Sequence, residues 1–463
     1  MRSFFLQADL QDILSQEVAA ATPFRILTLI IFIAAVIHTL MANHFTSLAD
    51  KVAAKYARQQ KGVKHKKVSF LAEVLYFLGE IEVVFGLWVI PLLIVVTSFF
   101  GWDDAIKYLN SRIYVEPLFI VVVMSLASSR PIIKIAEKGV HVVAKLFGDS
   151  KEAWWLTILT IGPLFGSVIT EVAAITISVL LLQEKLFIYG PTKRLAYGTL
   201  ALLFVNFSVG GTLTNFAAPP ALVLSRCWDW DAIDFFRQFG PQVILGILLV
   251  NTLYFLCLRK DFNKLRSIKH KEEEAIESDK HKGPVPVWVT LFHLLFLAWV
   301  IVMGEYPPVF LGGYLIFLGF HQATRHHQYN LNLKRPMMVG LFLAGLVIHG
   351  GFQGWWIEPL LGDLGYGAML VVGTALTAFN ENATVAHLAC LVDGLTPKIQ
   401  YALASGLVAG GGLTIIAHAP NPVGQALVRK YFKKGISPFN LFIFALLPTL
   451  IFLAIFYYFP PSA

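Results

Sequence analysis

The sequence predicts an all-α polytopic membrane fold with an inverted internal repeat, two re-entrant hairpins and two broken helices. Three observations predict it. The 463 residues are 56% hydrophobic and only 14% charged, where soluble domains carry roughly 25% charged residues. Several apolar runs approach or exceed the roughly 20 residues that cross a bilayer. One unusual stretch also occurs twice. Residues 162–224 hold Ile169-Thr170-Glu171-Val172-Ala173, then Gly210-Gly211-Thr212-Leu213-Thr214-Asn215 and Ala217-Ala218-Pro219-Pro220. Residues 373–427 hold Phe379-Asn380-Glu381-Asn382-Ala383, then Gly411-Gly412-Leu413-Thr414 and Ala417-His418-Ala419-Pro420-Asn421-Pro422.

Charge and cysteines exclude other classes. The net charge is +8, but the basic residues cluster in short loops between apolar runs, the positive-inside pattern, and imply no nucleic acid. Cys227, Cys257 and Cys390 have no CxxC spacing and suggest neither a metal site nor a disulfide framework. Residues 24–41 lack the basic leader of a signal peptide, since Asp9, Asp12 and Glu17 precede them.

In order, residues 4–20 read as an amphipathic surface helix. The first span, 24–41, is followed by a basic loop with Lys51, Lys55, Arg58, Lys61, Lys64, Lys66 and Lys67, so this end lies inside. The second span, 70–99, carries Glu73, Glu80 and Glu82, with Glu73 and Glu80 on one helical face. The third covers 114–129, and a basic loop over 130–151 returns the chain inside. Residues 154–183 are long enough to cross, yet Lys151 precedes them and Lys185, Lys193 and Arg194 follow. Gly162-Pro163 and Gly166 break the stretch, so it reads as a hairpin entering from inside, permitted where protein or water lines it. Residues 195–224 cross with an interruption over 210–220. Asp229, Asp231 and Asp234 lie outside, and 238–258 return.

The hydrophilic residues 259–284 form a cytoplasmic linker between a first repeat, 1–258, and a second, 285–463. The second repeat has spans at 285–303, 309–323 and 337–352. A hairpin at 365–392 with acidic flanks follows, then a span at 399–428 broken over 410–422, and a last span at 439–459. Each repeat holds five crossings. An odd number inverts the second repeat, and the loop charges give the same inversion independently.

The chemistry sits at the hairpin tips and breaks. Thr170 and Asn380 suit N-caps, which makes Glu171 and Glu381 first-turn residues of the returning half-helices. A carboxylate there is favoured by the helix dipole and opposed by burial, so it can trade a proton for a cation. Unwinding at Gly210, Gly211, Gly411 and Gly412, with Pro219, Pro220, Pro420 and Pro422 beyond, frees backbone carbonyls. Thr214, Asn215, Thr414, Asn421, Asn380 and Asn382 add neutral oxygens, and Asn206 is a further candidate. His418 lies inside the second break, and His387 follows Glu381. The plainer explanations are hydrogen-bonded tip carboxylates, small-residue helix packing and interior histidines. Two carboxylates at matched positions, each followed by a Gly-Gly break and paired prolines, favour a transport site.

At these residues the sequence resembles the ion transporter superfamily, which includes D-type sodium–proton antiporters, arsenite-efflux permeases and divalent-anion/sodium symporters. The likeness is strongest to a family of sodium–proton antiporters within it. Phe379-Asn380-Glu381-Asn382-Ala383 resembles the Asp-Asn hairpin tip of D-type antiporters, with glutamate in place of aspartate. Gly412-Leu413-Thr414 and Pro420-Asn421 are similar to their Gly-Gly-Asn-x-Thr and Pro-Asn elements. The resemblance implies a secondary transporter with alternating access, expected to be a sodium–proton antiporter. It also implies scaffold and transport units and a homodimer. No cofactor is expected. The cargo is a sodium ion and protons, the surroundings are the lipid bilayer, and a bacterial-type cytoplasmic membrane is the expected location. An anion or organic-acid carrier on the same fold is the alternative. An integral-membrane enzyme is more distant, since no HExxH, GxSxG or Walker loop occurs.

Overall fold

The computed structural model describes residues 22–59, 69–266, 283–304, 306–331, 333–432 and 435–461. The described residues form helices and connections with no strand. Seven helices among them are long and apolar enough to cross a membrane, or up to nine if two bent pairs count as one span each. The chain is thus an integral, multi-pass membrane protein. The expected surface helix at 4–20, Lys61, Lys64, Lys66 and Lys67, and most of the 259–284 linker lie outside the described residues.

The first part of the chain forms α1 (Thr22–Gln59), α2 (Phe70–Leu78), α3 (Ile81–Phe100), α4 (Trp102–Ser111), α5 (Val115–Ala127) and α6 (Arg130–Leu146). Three expectations change here. Lys51, Lys55 and Arg58 ride on the continuous α1 instead of in a loop. The 70–99 span is two helices broken at Gly79 and Glu80, so Glu73 and Glu80 do not share one helical face. His38 serves that break: Trp88 Nε1–H donates to its Nδ1 at 3.0 Å, which leaves Nε2–H to donate to the Leu78 carbonyl at 2.8 Å. The "loop" over 130–151 is mostly α6, whose Ile132, Ala136, Val140 and Ala144 recur every fourth residue and are buried.

The hairpin, break and return of the first copy are α7 (Lys151–Ile169), α8 (Glu171–Lys185), α9 (Lys193–Gly210), α10 (Pro219–Trp228) and α11 (Ala232–Arg266). The second part holds α12 (Val287–Val302), α13 (Pro307–Ala323), α14 (Lys334–Gly350) and α15 (Gly354–Leu361), with α15 bent 87° from α14. The second copy is α16 (Tyr366–Phe379), α17 (Asn382–Ala389), α18 (Pro397–Gly410) and α19 (Asn421–Val428), and α20 (Pro438–Tyr458) closes the chain.

Two compact units result, and they cross the sequence halves. Of the described residues, those within 1–117, 337–360 and 391–393 make up one unit, and the other described residues make up the second. The first unit is cored by Phe24, whose ring lies 5.4, 5.0 and 5.3 Å from those of Phe99, Phe100 and Phe352, with Tyr108 stacked on Phe352 at 4.4 Å. The second unit contains both hairpins and both breaks. In it α7 packs on α8 and α9, and α16 on α18. Each returning arm also meets the broken helix of the other copy, α8 on α19 and α17 on α10.

Candidate functional site

The first hairpin turns at Thr170. Helix α7 runs through Gly162, Pro163 and Gly166 without interruption, so these residues do not break the stretch as their identities suggest. They allow close approach instead. A β-carbon on Gly210 would meet Pro163 Cβ at 2.7 Å, and one on Gly166 would sit 3.7 Å from the Cα atoms of Glu171 and Gly211. Thr170 is buried at φ 75°, a region β-branched residues rarely occupy. Such strain costs about 1–3 kcal/mol and persists where packing over-determines it. Thr170 is at the expected N-cap position, but its side chain makes no capping bond.

The second tip differs from expectation. Glu381, not Asn380, is the N-cap: its Oε2 accepts from Ala383 N–H at 2.8 Å and Thr384 N–H at 3.2 Å. Asn380 Oδ1 accepts from Glu381 N–H at 2.9 Å.

Hydrogen bonds between tips and breaks fix how the copies correspond. Glu171 N–H donates to the Ala217 carbonyl at 3.4 Å, and Asn382 N–H to the Ala417 carbonyl at 3.0 Å. Thr214 Oγ1 donates to the Ser167 carbonyl at 2.6 Å, and Thr414 Oγ1 to the Ala378 carbonyl at 2.9 Å. Glycines repeat the match: a β-carbon on Gly211 would overlap the Glu171 carboxyl, and one on Gly411 would lie 3.2 Å from Asn382 Nδ2. Glu171 therefore corresponds to Asn382, and Glu381 to Thr170. Pairing the two glutamates by identity is off by one residue.

Helix α9 ends at Gly210 and α10 begins at Pro219, with Pro220 next; α18 ends at Gly410 and α19 begins at Asn421, between Pro420 and Pro422. The open stretches coincide with the expected interruptions. Asn421 holds the second one open, its Nδ2 donating to the Gly411 carbonyl at 2.8 Å and the Thr414 carbonyl at 2.9 Å. The broken helices cross where a β-carbon on Gly412 would overlap the Val205 backbone.

At this crossing His418 Nε2 lies 2.6 Å from Glu171 Oε2, with the two side chains 0% and 1% exposed. The contact joins the first hairpin tip to the second break. Glu381, also buried, lies in the electrostatic field of both His418 and Glu171. Among the described residues, Glu171 Oε1, Glu381 Oε1, Asn421 Oδ1, His418 Nδ1 and both polar side-chain atoms of Asn382 have no hydrogen-bond partner. Buried polar atoms are almost always paired. Two carboxylates, an imidazole and open amide oxygens are thus buried in one apolar unit, a chemistry suited to a small charged species.

Other candidates hold the frame. Thr214 and Thr414 bond backbone carbonyls, as above. Asn206 Nδ2 donates to the Leu159 carbonyl at 2.9 Å and Asn251 Oδ1 at 2.8 Å. Asn215 and His387 are half-buried. Two residues go unnoticed in the sequence. Ser208 Oγ donates to the Val408 carbonyl at 2.6 Å beside Gly411. Ser167 Oγ donates to the Gly210 carbonyl and accepts from Leu213 N–H at 3.1 Å. For Ser208 the signal is a hydroxyl within a turn of the Gly210-Gly211 pair; Ser167 lies 43 residues from its partner Gly210 and carries no such mark.

A family model described as "Putative Na+/H+ antiporter" matches residues 23–459. No curated protein matches the chain. Among solved structures, the chain is similar to one described as the crystal structure of the Alcanivorax borkumensis YdaH transporter, with an unusual topology. The identity is 14%, the match covers 90% of this chain and 96% of that chain, and the TM-score is 0.45.

Proposed function

The chain belongs to the "Putative Na+/H+ antiporter" family of membrane transporters, and from that premise we propose that it exchanges sodium ions for protons by alternating access. The observation that carries the reading is the buried set of Glu171, His418 and Glu381, with open oxygens from Asn382 and Asn421 beside it. Carboxylates buried this deeply need a countercharge. A proton and a hard cation both supply one, and oxygen ligands suit sodium. If one carboxylate cannot hold both, loading a cation expels a proton, which is the coupling an antiporter needs. Thr214 and Thr414 position the unwound backbone on this reading, and Asn215, half-buried in the first break, is a further oxygen for the cation. The partners are the lipid bilayer, the transported ions and, in a homodimer, a second copy; the location is the cytoplasmic membrane.

Purified protein in vesicles with an internal pH dye tests the reading. An outward sodium gradient should acidify the lumen, while sodium salts of different anions should give equal rates. Rates that follow the anion and ignore the cation would favour an anion carrier instead.

Asn421→Ala removes both bonds that hold the second break and strands two backbone carbonyls, each worth about 1–3 kcal/mol when left unpaired. The apparent sodium constant should rise while the protein still inserts. Thr414→Ala, which loses the bond to Ala378, should act in the same direction. Unchanged constants in both, at normal expression, would move the site elsewhere.

The loop charges put the linker inside and both termini outside. A cysteine in place of Ser278, which lies outside the described residues, should resist impermeant thiol reagents in sealed cells and react after permeabilisation. Ready labelling from outside would reverse the orientation.

A further inference from the structure

Two cysteines that the sequence reading leaves unpaired are joined: Cys227 and Cys390 form a disulfide with Cα atoms 5.7 Å apart, across 163 residues of sequence. Cys227 is in the last turn of α10, and Cys390 is the residue that closes α17. The bond therefore ties the half-helix beyond the first break to the returning arm of the second hairpin. Helix α17 has only eight residues. Glu381 caps its start and Asn382 opens it, so one end belongs to the candidate site and the other to the disulfide.

The reciprocal contact, α8 on α19, is held differently. Gln183 Nε2 donates to the Leu427 carbonyl at 2.5 Å, and by the match of Ala217 with Ala417, Leu427 is the counterpart of Cys227. That end carries Lys185, Arg429 and Lys430, with Phe187 stacked on Tyr431 at 5.5 Å. The stretch following Cys227 carries Asp229, Asp231 and Asp234. Positive charge stays on the cytoplasmic side, so the disulfide falls on the opposite, oxidising face, where such bonds persist. The charge pattern and the cysteine pair agree without sharing a residue.

We propose that Cys227–Cys390 is a redox-sensitive strap on the non-cytoplasmic face that holds α17, and with it Glu381 and Asn382, in place against α10. Forming it takes two electrons and two protons from the thiols. An external disulfide accepts them and becomes a dithiol, and a thiol or phosphine reductant reverses the step. The strap does not depend on which ion the site takes.

The test uses the full chain in sealed cells and then purified. Of the three cysteines, only Cys257 should react with maleimide after denaturation without reductant. All three should react once intact cells have been treated with a membrane-impermeant phosphine. In the purified protein, reduction should speed amide hydrogen exchange across α17 by about tenfold or more, with α8 unchanged, because the constraint on α17 is lost. Cys227→Ser and Cys390→Ser should each reproduce the reduced pattern. Three reactive thiols before reduction, reduction that needs permeabilised cells, or exchange in α17 that ignores the reductant would each overturn the strap. None of these readouts measures transport, so they stand or fall apart from the antiport reading.

Discussion

Glu171→Gln is expected to bring sodium–proton exchange to background while the protein still folds and inserts. The amide keeps the size of the side chain and can still bond His418 Nε2, which lies 2.6 Å from Oε2 in the native chain. What disappears is the negative charge. Without a group at this position that can trade a proton for a cation the coupling is lost, so the fall in exchange rate should be on the order of 100-fold or more. Glu381→Gln is the companion. Its amide oxygen can keep accepting from Ala383 and Thr384, so the cap on α17 survives and only the charge is tested. The readouts are exchange rate against pH in vesicles and the melting profile in detergent. Wild-type rates and an unaltered pH profile in both variants would refute the carboxylate mechanism. Loss of exchange together with loss of folding in Glu171→Gln would make that residue a structural pin, and Glu381→Gln would then carry the test alone.

The frame of this site was legible in the sequence because backbone chemistry writes it in residue types. Gly-Gly pairs, the paired prolines and the lone acidic residues all mark places where a helix stops, and the helices do stop at Gly210 and Gly410 and restart at Pro219 and Asn421. In α6 the basic residues mask a buried stripe at every fourth residue, so the stretch reads as a loop although its periodicity is helical. The off-by-one match of the tips had a different origin. Two glutamates invite pairing by identity, yet the correspondence is set by which amide reaches the break carbonyl, Glu171 N–H in one copy and Asn382 N–H in the other. Partners far apart in the chain left no local trace. His418 meets Glu171 across 247 residues, and Cys227 meets Cys390 across 163. The break at Gly79 was hidden because the Leu78 carbonyl before it is served by His38, in another helix.

Gly211→Ala should abolish exchange as fully as removing the Glu171 charge, although it adds one methyl group and replaces no titratable group. Gly211 has φ −71°, an ordinary helical value, so alanine meets no backbone penalty there, and alanine favours helix over glycine by about 0.5–1 kcal/mol. The cost is local. The new methyl group would occupy the space of the Glu171 carboxyl, which is buried and held against His418 and has little room to withdraw. Either the carboxyl leaves His418 or α7 and α9 separate at the hairpin tip, and overpacking of this kind costs about 1–3 kcal/mol. Gly411→Ala presses on Asn382 Nδ2 and the Ser208 hydroxyl. A hydroxyl can rotate away, so its effect should be the smaller of the two. Gly319→Ala, in α13 with nothing within 4 Å of the added carbon, is the control and should leave both stability and exchange intact. The ordering of the three variants is the measurement. Exchange retained in Gly211→Ala at wild-type expression would mean that the Glu171 carboxyl need not sit where it does, and the His418–Glu171 contact would lose its place in the mechanism.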